Sequence, residues 1–237
     1  PKDGVTYRSA LKSTKEEIVG PSINLEKEAM EETVMGVATP EEIHSTVKVM
    51  GGEDWKLWVD ALDEAGVLTD GFKTVAYSYL GPKVTYGIYK DGTIGAAKRD
   101  LEHTADILND YLKEKVNGEA YVSLSKALMT RASAVIPIFP LYAALLYKVM
   151  KEKGIHEGTI QQKHRLLTQM VYGNHPVIDE ERRLRPDNWE MREDVQAEVE
   201  ALWDKVTPEN FKEISDYAGA REEFMQLNGF DFDNVDY

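Results

Sequence analysis

A chain of 237 residues with 42% hydrophobic side chains is long enough for one large domain or two small ones around a packed core. The absence of cysteine excludes a disulfide framework, a thiolate metal site and a cysteine nucleophile, and fits a reducing compartment. A formal net charge of −14 argues against a nucleic-acid partner, because phosphate binding rests on clustered Lys and Arg that release counterions.

The opening PKDGVTYRSALKSTKEE carries neither an apolar run behind a basic start nor an Arg-rich amphipathic face. No signal or transit peptide is visible, and the cytoplasm is the expected location. Residues 1 to about 40 are polar and punctuated by Gly4, Gly20, Pro21, Gly36 and Pro40, which predicts an extended, loop-rich arm. Thr39-Pro40-Glu41-Glu42 then predicts a helix start, with Thr39 as N-cap, Pro40 at the first helical position and Glu42 closing a capping box. Ile43, Val47, Val49 and Met50 give this helix an apolar side. After Gly51-Gly52, Trp55, Trp58, Val59 and Leu62 fall at i, i+3, i+4 and i+7, a second helix ended by Gly66. Residues 1–70 are thus expected to form an arm and two entry helices.

Thr74 to Leu80 reads as a buried strand running into Gly81-Pro82. From Thr93 to about Lys115 the pattern is helical, with Leu101, Ala105, Leu108 and Leu112 on one face. Asn117-Gly118 makes a turn, and Ala120 to Leu124 a second short apolar strand. Strand, long helix, strand is the grammar of a parallel crossover, which predicts an α/β fold with a parallel sheet covered by helices. Ala132 to Tyr147 is uncharged, but its 16 residues fall short of a membrane span of about 20 and contain Pro137 and Pro140. It predicts a buried helix with both prolines in its first turn and Lys148, Lys151 and Lys153 near its end. Residues 71–155 then form the α/β crossover with its buried helix and 156–237 a largely helical, acidic C-terminal region, with WEMREDVQAEVEALWDKV its clearest amphipathic stretch. From Asp187 to Tyr237 there are 15 acidic residues against Arg192, Lys205, Lys212 and Arg221, a balance of −11. That run reads either as a solvated helical face or as a docking surface for a basic partner.

Several chemistries find no support. His44, His103, His156, His164 and His175 never adopt a two-histidine helical spacing around a carboxylate, so no metal is expected. There is no G-x-S-x-G elbow, and Gly87, Gly92 and Gly95 fit neither a Walker A loop nor a G-x-G-x-x-G turn.

The segment YSYLGPKVTYGIYKDGTIGAAK, Tyr77 to Lys98, holds four tyrosines and four glycines. On one continuous helix Tyr89 and Lys98 would be turned by about 900° and lie about 13.5 Å apart along the axis, on opposite faces. A helix that begins near Thr93 instead leaves Tyr89 on the incoming loop, free to fold back toward Lys98. An ammonium beside a phenol favours the phenolate and makes the phenol a stronger acid, so the pair is a workable general-acid device. The plainer reading is a core tyrosine and a surface lysine.

That segment, followed by YVSLSKALMTRASAVIPIFPLYAALLYKVMKEKGIHEG, closely resembles the FabV-type enoyl-acyl carrier protein reductases and the related trans-2-enoyl-CoA reductases. KVMGGEDWKLWVDAL and AGAREEFMQLNGFD extend the resemblance over nearly the whole chain. It implies a Rossmann-like fold, of which this chain holds the C-terminal part, and an NADH-dependent reduction of trans-2-enoyl thioesters, carried on CoA or acyl carrier protein, in fatty acid metabolism. The family's Tyr, eight intervening residues and Lys correspond to Tyr89 and Lys98. Tyr89 is then the proton donor, and Lys98 holds the nicotinamide ribose and biases the phenol. Tyr79 matches the position that contacts substrate at its thioester carbonyl. Ala127, Leu128 and Met129 match the loop that lines the nicotinamide, where backbone amides can fix the carboxamide, and Thr130 sits beside them. The helix from Pro140 to Tyr147 becomes a wall of the acyl pocket, bordered by Met129 and Tyr147.

The family's glycine-rich phosphate turn and NADH-selecting acidic residue have no counterpart here, and Pro1 matches a point well inside the family pattern. The expectation is therefore a C-terminal portion that needs an N-terminal partner segment, and that alone binds NADH poorly. Two other readings compete. A short-chain dehydrogenase acting on a ketone has a Tyr-to-Lys spacing of four where nine is found here. A non-catalytic module that binds an acyl chain or a protein has no need of Tyr79, Tyr89 and Lys98 together.

Overall fold

The computed structural model describes residues 4–174 and 176–236; Pro1 and His175 lie outside the described residues. The chain divides into two compact units, neither of them contiguous. One comprises Pro1–Ile18, Met35–Ser125 and Gln169–Arg185, the other Val19–Val34, Lys126–Thr168 and Pro186–Tyr237. These do not follow divisions at residues 70 and 155.

The expected arm instead contains strands β1 (Ile18–Asn24) and β2 (Ala29–Met35), which pair as a two-stranded sheet. Gly20 and Pro21 lie inside β1 and mask its apolar pattern. The connection is tightened by the Asn24 carboxamide oxygen, which accepts from the backbone N–H groups of Glu26 and Lys27.

In the first unit, α1 (Pro40–Met50) begins with the expected capping box: Glu42 N–H donates to the Thr39 hydroxyl, and Thr39 N–H to the Glu42 carboxylate. Its innermost residue is Thr46, which bonds Ala10 N–H and the Glu42 carbonyl, while Val49, expected on the apolar side, is exposed. Helix α2 (Glu53–Glu64) ends in a Schellman motif. Gly66, at φ +66°, donates to the Asp63 carbonyl, and Val67 donates to Leu62. Val59 of α2 is buried and the Trp55 indole donates to Thr74, but Trp58 is 64% exposed, so the inward stripe is narrower than the spacing predicts.

Strand β3 (Lys73–Ser78) is half-buried rather than buried, with Tyr77 exposed. A 3₁₀ turn at Lys83–Thr85 leads into the short helix α3 (Tyr86–Tyr89), and α4 (Thr93–Val116) crosses to β4 (Glu119–Leu124). The strands are parallel, in register from Lys73↔Glu119 to Ser78↔Leu124, as strand, helix, strand predicts. Leu101, Ala105, Leu108 and Leu112 form the buried face of α4 against Val59, Ala120, Val122 and Leu124. Leu184 adds rungs along β4 that the sequence does not announce, donating to Val122 and accepting from Leu124.

In the second unit, α5 (Phe139–Glu152) is buried without interruption from Phe139 to Tyr147. Pro140 lies in its first turn, but Pro137 precedes the helix because Ile138, at φ +70°, turns the chain into it. Helix α6 (Thr159–Arg165) continues into a π-helical segment, Leu166–Val171. Helix α7 (Glu193–Trp203) starts after Trp189-Glu190-Met191-Arg192, later than its amphipathic pattern predicts, and α8 (Phe211–Ile214) and α9 (Tyr217–Leu227) follow. Helix α5 packs on α7 and α9. Among the described residues no helix is long and apolar enough to cross a membrane.

Candidate active site

Two sets of residues singled out by the sequence fall one in each unit. In the first, Tyr89 is the last residue of α3, not part of a loop, and is 6% exposed. Lys90 and Asp91 N–H both donate to the Tyr86 carbonyl, which closes the turn, and α4 begins two residues later. The glycines explain how so tight a junction fits. A Cβ on Gly92 would collide with the Ile88 carbonyl, and one on Gly95 with the Lys90 carbonyl, so the α3 turn lies directly on the first turn of α4. The extended segment at residues 12–14 braces the junction, with Thr93 donating to the Lys12 carbonyl and Thr14 to Asp91.

The Tyr79 and Tyr89 rings meet edge to face, centroids 4.6 Å apart at 80°. Gly81, at φ +68°, leaves room for the Tyr79 hydroxyl where any Cβ would strike it. Lys98 sits in the second turn of α4, largely withdrawn from water, and has no hydrogen-bond or ion-pair partner among the described residues. Burial pushes its pKa down, and the more distant charge of Glu102 opposes that shift. The first unit thus offers two phenols in contact and a desolvated ammonium on one short stretch of chain.

In the second unit, residues 126–130 are pinned by their surroundings. Lys126, 2% exposed, donates to the Glu157 carbonyl at 3.0 Å and lies 4.3 Å over the Tyr147 ring. Ala127 N–H donates to the Glu190 carboxylate at 2.6 Å, Met129 N–H to the Tyr147 hydroxyl at 2.9 Å and Thr130 N–H to the Ser133 hydroxyl at 2.9 Å. The expectation that the amides of 127–129 could fix a ligand therefore narrows to one. Only the Leu128 N–H has no acceptor among the described residues. Tyr147, expected at the border of an acyl pocket, is buried beneath the loop with its hydroxyl committed to Met129 and its ring against His156.

A cavity of about 630 Å³ lies in this unit, lined by Ile23, Thr33, Arg131, Val135, Pro137 and Phe224 among others. Its walls are the β1–β2 sheet, the 131–137 segment and α9 rather than the Pro140–Tyr147 helix, whose side chains are consumed by packing.

Glu190 is the residue the sequence does not reveal. It is 0% exposed, and burial pushes its carboxyl pKa up against the hydrogen bonds from Ala127 N–H and the Tyr142 hydroxyl. Its one signal is a carboxylate between Trp189 and Met191, ahead of a helix it was expected to join.

A family model described as the trans-2-enoyl-CoA reductase catalytic region matches residues 1–172, and one described as an enoyl reductase FAD binding domain matches 178–237. An NADH-dependent enoyl-acyl carrier protein reductase of Photobacterium profundum is 53% identical over the whole chain, and an NADH-dependent trans-2-enoyl-CoA reductase of Clostridium beijerinckii 51%. In each case the chain spans 60% of the relative's length. The crystal structure of the Clostridium acetobutylicum trans-2-enoyl-CoA reductase in complex with NAD superposes with a TM-score of 0.96 at 50% identity, over 99% of this chain and 61% of that one. The Treponema denticola enzyme with NAD gives 0.93 at 47% identity, over 100% and 59%.

Proposed function

The chain belongs to the trans-2-enoyl-CoA reductase family, and on that premise we propose that it forms the proton-donating and nicotinamide-facing part of a cytoplasmic, NADH-dependent reductase of trans-2-enoyl thioesters. The observation that carries this reading is Lys98, a cation withdrawn from water and given no hydrogen-bond or ion-pair partner among the described residues, nine residues after a buried tyrosine. A site left in that state suits a ligand with hydroxyl groups to offer, as a nicotinamide ribose has.

NADH, the cofactor of the matched NADH-dependent relatives, would supply the hydride to the β-carbon when bound. The Tyr89 hydroxyl gives the proton that completes the saturated product, its acidity raised by the Lys98 ammonium. Tyr79 donates a hydrogen bond to the thioester carbonyl as negative charge develops there, an oxyanion-stabilising role for which its edge contact with Tyr89 fixes the ring. Leu128 N–H, with Ala127, Met129 and Thr130 around it, is the group that would hold the nicotinamide carboxamide. The flavin in the second family description is a label of that model; the matched structures hold NAD or NADH.

The relatives are longer than this chain, and the phosphate-gripping turn expected of such a cofactor site is not among its glycine motifs. We therefore propose that the activity belongs to the polypeptide with an N-terminal portion supplied, and that the chain by itself does not oxidise NADH with crotonyl-CoA. In the complete enzyme Tyr89→Phe keeps the ring and removes the acid. NADH oxidation should fall by roughly 10²-fold or more while thioester binding persists. Undiminished turnover by that variant would remove Tyr89 from the mechanism and leave the binding-module reading in its place.

A further inference from the structure

The loop at 126–130 is held by side chains that the proposed reaction has no use for. Glu190 accepts from Ala127 N–H through one carboxylate oxygen at 2.6 Å and from the Tyr142 hydroxyl through the other at 2.8 Å. Gln196 completes the set, donating to the Tyr142 oxygen at 3.1 Å and to the Glu190 carbonyl at 2.7 Å. Two residues along, the Tyr147 hydroxyl accepts from Met129 N–H. Ser133 donates to the Leu128 carbonyl at 2.7 Å.

The spacing of these anchors has a consequence for the residue between them. The Ala127 and Met129 N–H groups are taken by the Glu190 carboxylate and the Tyr147 hydroxyl, and the Leu128 N–H between them meets no acceptor among the described residues. A buried carboxylate is a costly way to tie down one amide, since an ionised group out of water needs both hydrogen bonds and a nearby countercharge. Lys126, buried on the preceding residue, supplies that charge. A methyl or a neutral amide would fill the space at lower cost, which makes orientation of the loop the reason for a carboxylate here.

We propose that Glu190 is a positioning residue for cofactor recognition: with Tyr142 and Tyr147 it sets the 127–129 backbone so that Leu128 N–H is presented to the carbonyl oxygen of a nicotinamide carboxamide. This rests on the reading above, in which residues 127–130 line the nicotinamide. Ala127 N–H and the Tyr142 hydroxyl both donate to the Glu190 carboxylate, so protonation of that carboxylate weakens its hold on them. Recognition of the carboxamide then weakens on the acid side, in the direction that burial's upward shift of this carboxyl supports.

The test uses the complete enzyme with Tyr142→Phe, which removes one donor and no volume from the core, and Glu190→Gln, which removes the charge. The reduced thionicotinamide analogue serves as probe, because sulfur accepts a hydrogen bond weakly. The wild type should prefer NADH over the analogue. Both variants should raise KM for NADH by about tenfold, the effect of one hydrogen bond to a charged group, leave KM for the enoyl thioester nearly unchanged, and bring the NADH-to-analogue ratio toward one. Equal effects on KM for both substrates, with the NADH-to-analogue ratio kept, would reduce Glu190 to a packing role and overturn the proposal. The Leu128 amide resonance separates that failure from failure of the premise. If it does not move when NAD binds the wild type, the loop does not line the nicotinamide. If it moves equally in wild type and variants, the loop does and Glu190 does not position it.

Discussion

Lys98 and Lys126 are both lysines taken out of water, and the fold treats them in opposite ways. Lys126 has a carbonyl acceptor, an aromatic face and the carboxylates of Glu190, Glu157 and Glu223 acting on it. Lys98 has, among the described residues, the charge of Glu102 acting on it and no hydrogen-bond or ion-pair partner. Both ammonium groups are shifted down by burial, so desolvation alone does not distinguish a site from a scaffold. The satisfaction of the charge does. A cation fully paired within the chain has nothing left to give a ligand, whereas one left without a partner carries a cost that binding can offset.

Lys98→Met breaks the comparison most sharply. An apolar side chain of similar length in that place should lower turnover in the complete enzyme by roughly 10²-fold or more, because the proposed mechanism assigns Lys98 the charge that acidifies the phenol and the contact to the ribose. Thermal unfolding should show the variant at least as stable as the wild type, since an unpaired, partly buried ammonium has been removed. A variant that loses stability along with activity would show that Lys98 has an internal partner after all.

The difference between the two lysines also sets what could be read from the sequence. Tyr89, Lys98 and the glycines between them are close in the chain, so their relation survives in the spacing. The collisions a Cβ would suffer at Gly92 and Gly95 are the physical form of that pattern. The β3–α4–β4 crossover was visible for the same reason, each element carrying its own periodicity. Glu190 meets Ala127 across 63 residues, and its neighbours continue a helical pattern that the chain does not follow until Glu193. The β1–β2 pair was hidden by Gly20 and Pro21, which read as loop until a partner strand is found for them.

Lys126→Met should have the next largest effect, and on stability rather than chemistry. It keeps the volume but removes the Lys126 charge that acts on Glu190 and leaves the Glu157 carbonyl without that donor. Removing one member of a buried charge set costs about 3–5 kcal/mol, measured as a lower urea midpoint at unchanged slope. Adding Glu190→Gln to the same chain should recover part of the loss, because the stranded carboxylate is gone as well. A second loss of full size on top of the first would mean that the two residues do not share one network.

The smallest effect distinguishes the network's two buried ends by pH. Burial pushes the Glu223 carboxyl up, but hydrogen bonds from His156 and Lys151 outweigh it and hold the carboxyl down at about 2, from an ordinary value of 4.5. The unfolded chain therefore takes up a proton on Glu223 before the folded one does. The stability this group contributes is complete above pH 4.5 and is lost as pH falls toward 2. Glu190 has the opposite sign: raised by burial, it binds its proton more tightly in the folded chain, so its charge costs the fold as pH rises from 4.5 toward 7. Glu223→Gln should flatten the acid side of a stability profile by about 2 kcal/mol, and Glu190→Gln should flatten the neutral side and leave the acid limb in place. Asp216 and Tyr217 begin the helix that carries Glu223 in its second turn, and the Lys151 bridge to Asp216 survives the Glu223 change, which keeps α9 docked while the titration is read. Were both substitutions to flatten the same limb, the two carboxylates would be titrating as one group.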